Sequence, residues 1–378
     1  MKDNKFFFAA FGAVLILLFV FVSTQIPIAH STPKNLPIGL VAEDTGELGQ
    51  TVVKTIQTNA AAAGDTFEFV VLASKEEMNK RMAEQELYGA LFIPADFSEK
   101  YASLQTAAPE SPGLQVYVNQ GKNANVANVV SQALTKMLTQ LNANMSQQLF
   151  SVVEQNNLPL STVQSRIFAS PIQSEVITVH PTGSLASAPA SLFQPIWMAS
   201  IVSALLLWFA GRKRLFRSVG EQIKFRFIQA AAAVILGCFS GYVVTWLTTW
   251  MLGFEYASFN DVALFSSIAS GGFILLILAV LCWIGYAGLP IFVLLMFFGL
   301  PLVQLVPEMM PQFYADWVYP WIPMRFLFDG LKEILYFNGQ VWNGSTQVLC
   351  WLAAVGVLLV LANGSSKQES KSTAVTLE

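Results

Sequence analysis

Few side chains in this chain of 378 residues could make or break bonds. It has 2 histidines, His30 and His180, and 3 cysteines, Cys238, Cys282 and Cys350. No H-E-x-x-H pair or cysteine cluster accompanies the histidines, so a structural or solvated role is favoured over a metal ligand or general base. A G-x-x-x-x-G-K-[ST] loop, a dinucleotide fingerprint and a G-x-S-x-G elbow are all missing from the sequence. The expectation is therefore no catalytic residue, no cofactor and no metal, with a membrane-bound enzyme a remote reading. What the chain does offer is clustered cations and aromatics. Arg212, Lys213, Arg214, Arg217, Lys224 and Arg226 interleave with Leu215, Phe216, Val219, Ile223, Phe225 and Phe227. That mixture fits a short amphipathic helix at a membrane interface or, equally well, a plain basic linker. A second segment, Pro320 to Gly339, combines Trp321, Arg325, Asp329, Lys332 and Glu333 with an apolar helical face of Phe326, Leu331, Ile334 and Leu335. Its composition predicts an interfacial or re-entrant helix.

The elements that must carry these clusters are apolar stretches tested against a hydrocarbon layer of roughly 30 Å, which about 20 helical residues span. Phe6 to Val22 is uncharged and follows two lysines, as in a signal anchor; a cleaved signal peptide is the minority reading. Leu192–Gly211, Phe227–Gly253, Val262–Trp283, Ala287–Val306 and the weaker Val348–Leu361 follow. Val341 and Trp342 would have to extend the last of these. The expected class is a polytopic α-helical membrane protein with six spans, one plus five. Between the first and second spans lies a large extracytoplasmic α/β domain. The corresponding segments are 1–23 (tail and anchor), 24–191 (external), 192–361 (five-helix domain) and 362–378 (tail).

Lysine and arginine in short loops mark the cytoplasmic side. Lys2 and Lys5, the Arg212–Arg226 loop, and Lys367 with Lys371 would all be inside, and both termini with them. Composition agrees, with 54% hydrophobic and 12% charged residues. The net charge of −3 hides an acidic external segment and basic loops, so nucleic acid is not an expected partner. The basic loop suits anionic lipid headgroups or an acidic protein surface. All three cysteines fall in expected spans, leaving the external domain to fold without disulfides. The spans as drawn contain no ionisable group, which argues against a proton-coupled antiporter. Ser200, Ser203, Ser240, Thr245, Thr248, Thr249, Ser266, Ser267 and Ser270 are expected to bond within or between helices, and a polar substrate path is the minority reading. Ala230 to Ala233 and Gly237 to Gly241 favour close helix contact.

Within the external segment, strand-like runs at Leu36–Ala42, Thr66–Leu72, Tyr88–Pro94 and Leu114–Val118 alternate with helical patterns at Gly46–Ala63, Lys75–Leu87 and from Asp96. Ser74 and Glu77 stand where a capping box needs them. From Asn123 to Asn156, apolar residues spaced three or four apart predict one long helix, which packs on the sheet; the alternative is a stalk or dimer contact.

Three motifs carry a family resemblance. Leu36-Pro-Ile-Gly-Leu-Val-Ala-Glu43-Asp44-Thr-Gly46 is similar to an "LPVAVVNEDxG" opening. Tyr88-Gly-Ala-Leu-Phe-Ile-Pro94-Ala-Asp96-Phe97-Ser is similar to "YAxIVIPxDFS". Val116-Tyr-Val-Asn119-Gln-Gly-Lys-Asn is similar to "YYVNxxxN". With the span layout, they resemble ABC-2-type membrane proteins, specifically the YhgE/Pip group and the related DUF3533 and fungal nitrosoguanidine-resistance proteins. The resemblance implies a plasma-membrane permease or exporter, a homodimer, and a separate ABC ATPase subunit as partner. ABC-2 permeases tend to dock that ATPase through an acidic E-R-E-x-G-T type loop, whereas Arg212–Arg226 is basic. The competing reading is a non-transporting envelope protein whose external domain binds a partner or serves phage attachment.

Overall fold

The computed structural model describes residues 18–19, 22–24, 26–62, 65–106, 108–157, 159–212 and 214–375. The expected first span and Lys213 therefore lie largely or wholly outside the described residues. The chain divides into an α/β unit, Thr32–Thr182, and a helical unit made of Met1–Ser31 and Gly183–Glu378.

In the α/β unit, β1 (Leu36–Ala42), β2 (Phe67–Leu72), β3 (Gly89–Ile93), β4 (Gly113–Asn119) and β5 (Gln173–Val179) form one sheet in the order β2-β1-β3-β4-β5. β1 is parallel to both β2 and β3, β4 runs antiparallel to β3, and β5 is parallel to β4. β3 is buried along its whole length, which accounts for its unbroken Gly-Ala-Leu-Phe-Ile run. The crossovers are α1 (Glu47–Ala62), α2 (Lys75–Ala83) and α3 (Phe97–Ser103), followed by α4 (Ala124–Asn156) and α5 (Thr162–Ala169) between β4 and β5.

Met78 and Met82 of α2 cover one face of the sheet, packing with Val41, Ala90, Phe92 and Tyr117. α4 covers the other face with the expected stripe, Val126, Val130, Leu134, Leu138, Met145 and Leu149 being buried. It approaches β3 so closely that a Cβ at Gly89 would stand 2.8 Å from Val130 and 2.7 Å from the Tyr117 carbonyl. The long helix thus packs on the sheet. α2 stops at Ala83, short of the expected Leu87, because Gln85 turns into positive φ (60°). β5 and α5 go beyond the sequence expectation. β5 has no unbroken apolar run, as only an edge strand can afford, and α5 is announced by a capping box at Ser161 and Gln164.

The helical unit contains α6 (Ala188–Arg212), α7 (Val219–Leu252), α8 (Phe259–Ile284), α9 (Leu289–Gln304), α10 (Pro323–Tyr336) and α11 (Gly344–Val375). Among the described residues, four helical stretches are long and apolar enough to cross a membrane: Gly183–Arg212, Val219–Leu252, Phe259–Gln304 and Gly344–Asn363. The six-span expectation is therefore met by four stretches, partly because the expected fourth and fifth spans run together. Their 46 residues would be about 69 Å long if straight, twice a hydrocarbon layer. They are broken instead at Gly285, whose φ of 69° starts a 3₁₀ turn before α9. The last span runs from Gly344 to Asn363, longer than expected at both ends, and it starts after Val341 and Trp342 rather than including them.

α8 is the central helix, packed against α6, α7, α10 and α11. Its contact with α7 is backbone to backbone. A Cβ at Gly237 would lie 2.6 Å from Gly271 Cα, and one at Gly241 would collide with the Ser267 backbone. Three buried hydroxyls of the bundle bond back along their own helices, Ser200 to Ile196 O, Thr245 to Gly241 O and Ser267 to Ala263 O, each at 2.7–2.8 Å, whereas Ser266 Oγ is buried without a partner among the described residues. Such back-bonding satisfies those three without a polar path.

Gly241→Leu is accordingly expected to cost about 1–3 kcal/mol or more by overpacking. The readout is the melting temperature of the purified full-length protein in detergent. Gly344→Ala is the matched control, since its added Cβ meets nothing within 4 Å; equal melting of the two variants would sink the argument.

Candidate functional site

The cationic segment does not form a separate surface helix. Residues 214–218 are non-helical, and α7 begins at Val219, capped by Ser218, whose Oγ accepts from Glu221 N (3.2 Å) while the Glu221 carboxylate accepts from Arg217 N (2.9 Å). The Ser218-Val-Gly-Glu221 spacing is a capping-box signal that announces this start in the sequence. Starting α7 there places Lys224 and Arg226 inside a membrane-spanning candidate, which corrects the expectation that the spans hold no ionisable group.

Arg226 is only 8% exposed. Its Nη1 donates to Gln229 Oε1 (2.8 Å) and Cys282 Sγ (3.1 Å), and its Nη2 to Asn363 Oδ1 (2.8 Å). Gln229 Nε2 donates onward to Leu207 O at 2.6 Å, and Asn363 Nδ2 to Cys282 O at 3.0 Å. One guanidinium thereby ties α6, α7, α8 and α11 together. Arg226 Nε is buried without a hydrogen-bond partner. None of the ion pairs among the described residues includes Arg226.

Next to it opens a cavity of 690 Å³ lined by Arg212, Arg214, Gln222 and Arg226 together with Trp208, Phe216, Trp283 and neighbouring backbone. Arg212 stands over the Trp208 ring at 5.1 Å and Arg214 over Phe225 at 4.8 Å. Arg217 and Lys224 are exposed. The sequence reading named these cations but missed Gln222, Gln229, Cys282 and Asn363. A lone Asn two residues past an apolar run is the only hint that the last span carries a polar partner.

The second segment forms α10, but as a packed helix. Met324, Leu327, Phe328, Leu331 and Ile334 are buried, and α10 contacts α6, α8 and α11. Gly330 lets the Phe265 ring lie against the helix. Arg325 pairs with Asp329 at 3.0 Å and stands over Tyr319 at 4.6 Å. Lys332 is half-buried, and desolvation holds its ammonium below the ordinary lysine value against the opposing pull of Asp329. The Glu333 carbonyl accepts from Phe337 N (3.2 Å) and Gly339 N (2.9 Å), closing the helix end. Trp321 is largely exposed.

The three motifs of the α/β unit meet as structural pins. Asp44, buried after β1, accepts from Gly46 N (3.3 Å) and from the Ser98 hydroxyl. Ser98 Oγ in turn accepts from Gly49 N at 3.4 Å. Glu43 N donates to Ile93 O (3.0 Å), Phe97 N donates to Pro94 O (3.1 Å), Phe97 is fully buried, and Asp96 pairs with Lys100 at 2.7 Å. Asn119 is fully buried. Its Nδ2 donates to Met82 O (2.8 Å) and Leu87 O (3.1 Å), and its Oδ1 faces His180 Nδ1 (3.2 Å). Asn123 caps α4 by accepting from Asn125 N and Val126 N. The pin was missed because Ser98 lies 54 positions from Asp44 and 49 from Gly49, the two residues it bridges. Among the described residues, no three His, Cys, Asp or Glu side chains are placed to hold a metal.

These arrangements define a membrane-helix protein with a hydrogen-bonded arginine at one end of its bundle and an α/β unit pinned by its own motifs. The profile of the family described as "Protein of unknown function (DUF3533)" matches residues 8–347, and the chain belongs to that family. Searches of curated proteins and of solved structures found no match.

Asp44→Ala should strip a buried partner from Ser98 and Gly46 and cost about 1–3 kcal/mol. The expected sign is faster amide exchange in β1 and β3 with protection of α8 unchanged; unaltered exchange in those strands would refute the pin. His180 gives a pH dependence. Burial lowers its imidazole below the ordinary value of 6.5. The unfolded chain therefore takes up a proton below pH 6.5 that the folded chain resists, so stability present above that pH is lost as the pH falls. Opening of β5, measured as exchange corrected for intrinsic rate, should rise on going to acid pH. His180→Asn suits the positive φ of 48° at that position and should remove most of the rise.

Proposed function

We propose that the chain is a plasma-membrane permease or exporter-like protein of ABC-2 type, acting on an amphipathic compound or envelope component, with no catalytic residues of its own. The observation that carries this reading is the layout. An α/β unit, Thr32–Thr182, is inserted between the first apolar stretch and a bundle of apolar helices, and the family match at 8–347 takes in both units. The helical turn Ile26–Ala29 packs against α9, so the chain leaves the bundle only for the α/β unit and then returns to it. The helix surfaces support an amphipathic cargo over a hydrophilic one. Phe227, Ile235, Phe239, Trp246 and Trp250 of α7 are exposed, and the inward hydroxyls of Ser200, Thr245 and Ser267 bond to their own backbones.

By the Lys/Arg distribution, the arginine end of the bundle faces the cytoplasm and the α/β unit lies outside. A second copy of the chain and a separate ATPase complete the assembly that the resemblance implies. The basic segment around Arg212–Arg226 lacks the acidic docking element of such permeases.

The test is uptake of a fluorescent amphipathic dye by inside-out vesicles from host cells with and without the protein, with and without ATP. Expected is protein-dependent accumulation that is lost on excision of residues 32–182, together with a nucleotide-binding subunit recovered when the tagged chain is purified in mild detergent. Accumulation that is the same with and without the protein would reject the permease reading and leave a binding role for the α/β unit.

A further inference from the structure

We propose that the cavity beside Arg226 is a binding site for a phosphate-bearing anionic headgroup, taken from a membrane lipid. The inference does not depend on whether the chain transports anything.

Arg226 carries a charge that no described residue compensates. A guanidinium cannot discharge itself in a protein, and one withdrawn from water without a counter-ion carries a penalty of several kcal/mol. Arg226 is over nine-tenths buried, its hydrogen-bond acceptors are the amides of Gln229 and Asn363 and the Cys282 sulfur, and none of the ion pairs among the described residues includes it. Helix C-termini could supply partial negative charge here, since α6 and α8 both end at this place. Yet the carbonyls of Leu207 and Cys282 are engaged by Gln229 and Asn363 rather than by Arg226. The Nε proton is left buried with no acceptor, on a side chain that lines the cavity. Among the described residues, the site therefore holds one charge without a counter-ion and one hydrogen-bond donor without an acceptor.

The cavity supplies the rest of an anion site. Arg212 and Arg214 bring two further guanidinium groups to the same wall, and no carboxylate is among its described lining residues. Stacking on Trp208 and Phe225 holds those two cations in place without neutralising them. Arginine forks match phosphate oxygens in pairs, and 690 Å³ falls within the roughly 300–1,000 Å³ of ordinary ligand pockets. The rim indicates where the phosphate comes from. Leu215, Trp283 and Ile284 on the same cavity are at least half exposed, an apolar and aromatic margin suited to glycerol and acyl chains rather than to water. Basic pockets between membrane helices at the cytoplasmic level are where anionic lipids bind.

The experiment uses the purified full-length protein in a non-ionic detergent, with binding read by native mass spectrometry and by thermal shift. Three probes are compared: phosphatidylglycerol, phosphatidylcholine and inorganic phosphate alone. Phosphatidylglycerol should bind about tenfold or more tighter than phosphatidylcholine, and Arg214→Gln or Arg212→Gln should each weaken it by about tenfold, the worth of one charge-assisted hydrogen bond. Arg226→Gln should abolish the preference. If that variant fails to give monodisperse protein, the two exposed arginines decide the matter, because neither belongs to the Arg226 hydrogen-bond network. Binding of inorganic phosphate with the same arginine dependence would support the phosphate site while assigning it to a soluble source. Equal binding of the two lipids, or arginine variants that bind as the unaltered chain does, would overturn the proposal.

Discussion

The helical unit depends on one close approach, that of α7 to α8 at Gly237, Gly241, Ser267 and Gly271. In a bilayer no hydrophobic force drives helices together, because lipid tails are as apolar as leucine, so association rests on intimate van der Waals contact. Glycine permits backbones to touch where any side chain would hold them apart. With α7 in place, α8 can be surrounded on its remaining sides by α6, α10 and α11, and it becomes the most buried of the spanning helices. The aromatic cluster around Trp197, which meets Phe273 edge-on at 4.9 Å and donates to the Phe292 carbonyl at 3.1 Å, packs on the helix positioned by that contact.

The same closeness makes the Arg226 network geometrically feasible. Its members come from four helices, and each bond requires the helix ends to converge within side-chain reach. A buried arginine is poor evidence of stability on its own terms, since desolvation can exceed what its hydrogen bonds return. Its presence at one end of a bundle, with no ion pair among the described residues and an open cavity beside it, is better accounted for by a ligand that completes the charge balance. The α/β unit has no counterpart to this arrangement. Its polar residues are paired among themselves: Asp44 with Ser98 and Gly46, Asn119 with Met82, Leu87 and His180. The motifs that carry the family resemblance accordingly explain themselves as fold-holding devices rather than as chemistry.

Membership of the DUF3533 family covers both units and assigns neither an activity. The assignment to an ABC-2-type permease therefore rests on architecture and on the cargo that the helix surfaces would suit. The basic segment at the head of α7 works as a helix start and a guanidinium cluster, which separates it from an ATPase-docking element of acidic character.

Much of this was legible in the sequence because it depends on local periodicity. Period-two and period-3.6 patterns located β1 to β4, α1 to α4 and the apolar helices of the bundle, since a strand or helix must bury the face its own pattern defines. Ser74 was readable as a cap for the same reason: a cap bonds to residues two or three positions away. What the tertiary structure alone decided are relations between distant residues. That Arg226 meets Cys282 and Asn363, that Ser98 answers Asp44, and that β5 finds the edge beside β4 follow from which elements pack together, and no local pattern encodes that. The apolar run from Phe259 to Gln304 lies between the two cases: the sequence already divides it between Trp283 and Ala287, and the tertiary structure fixes the break at Gly285, where glycine allows the positive φ.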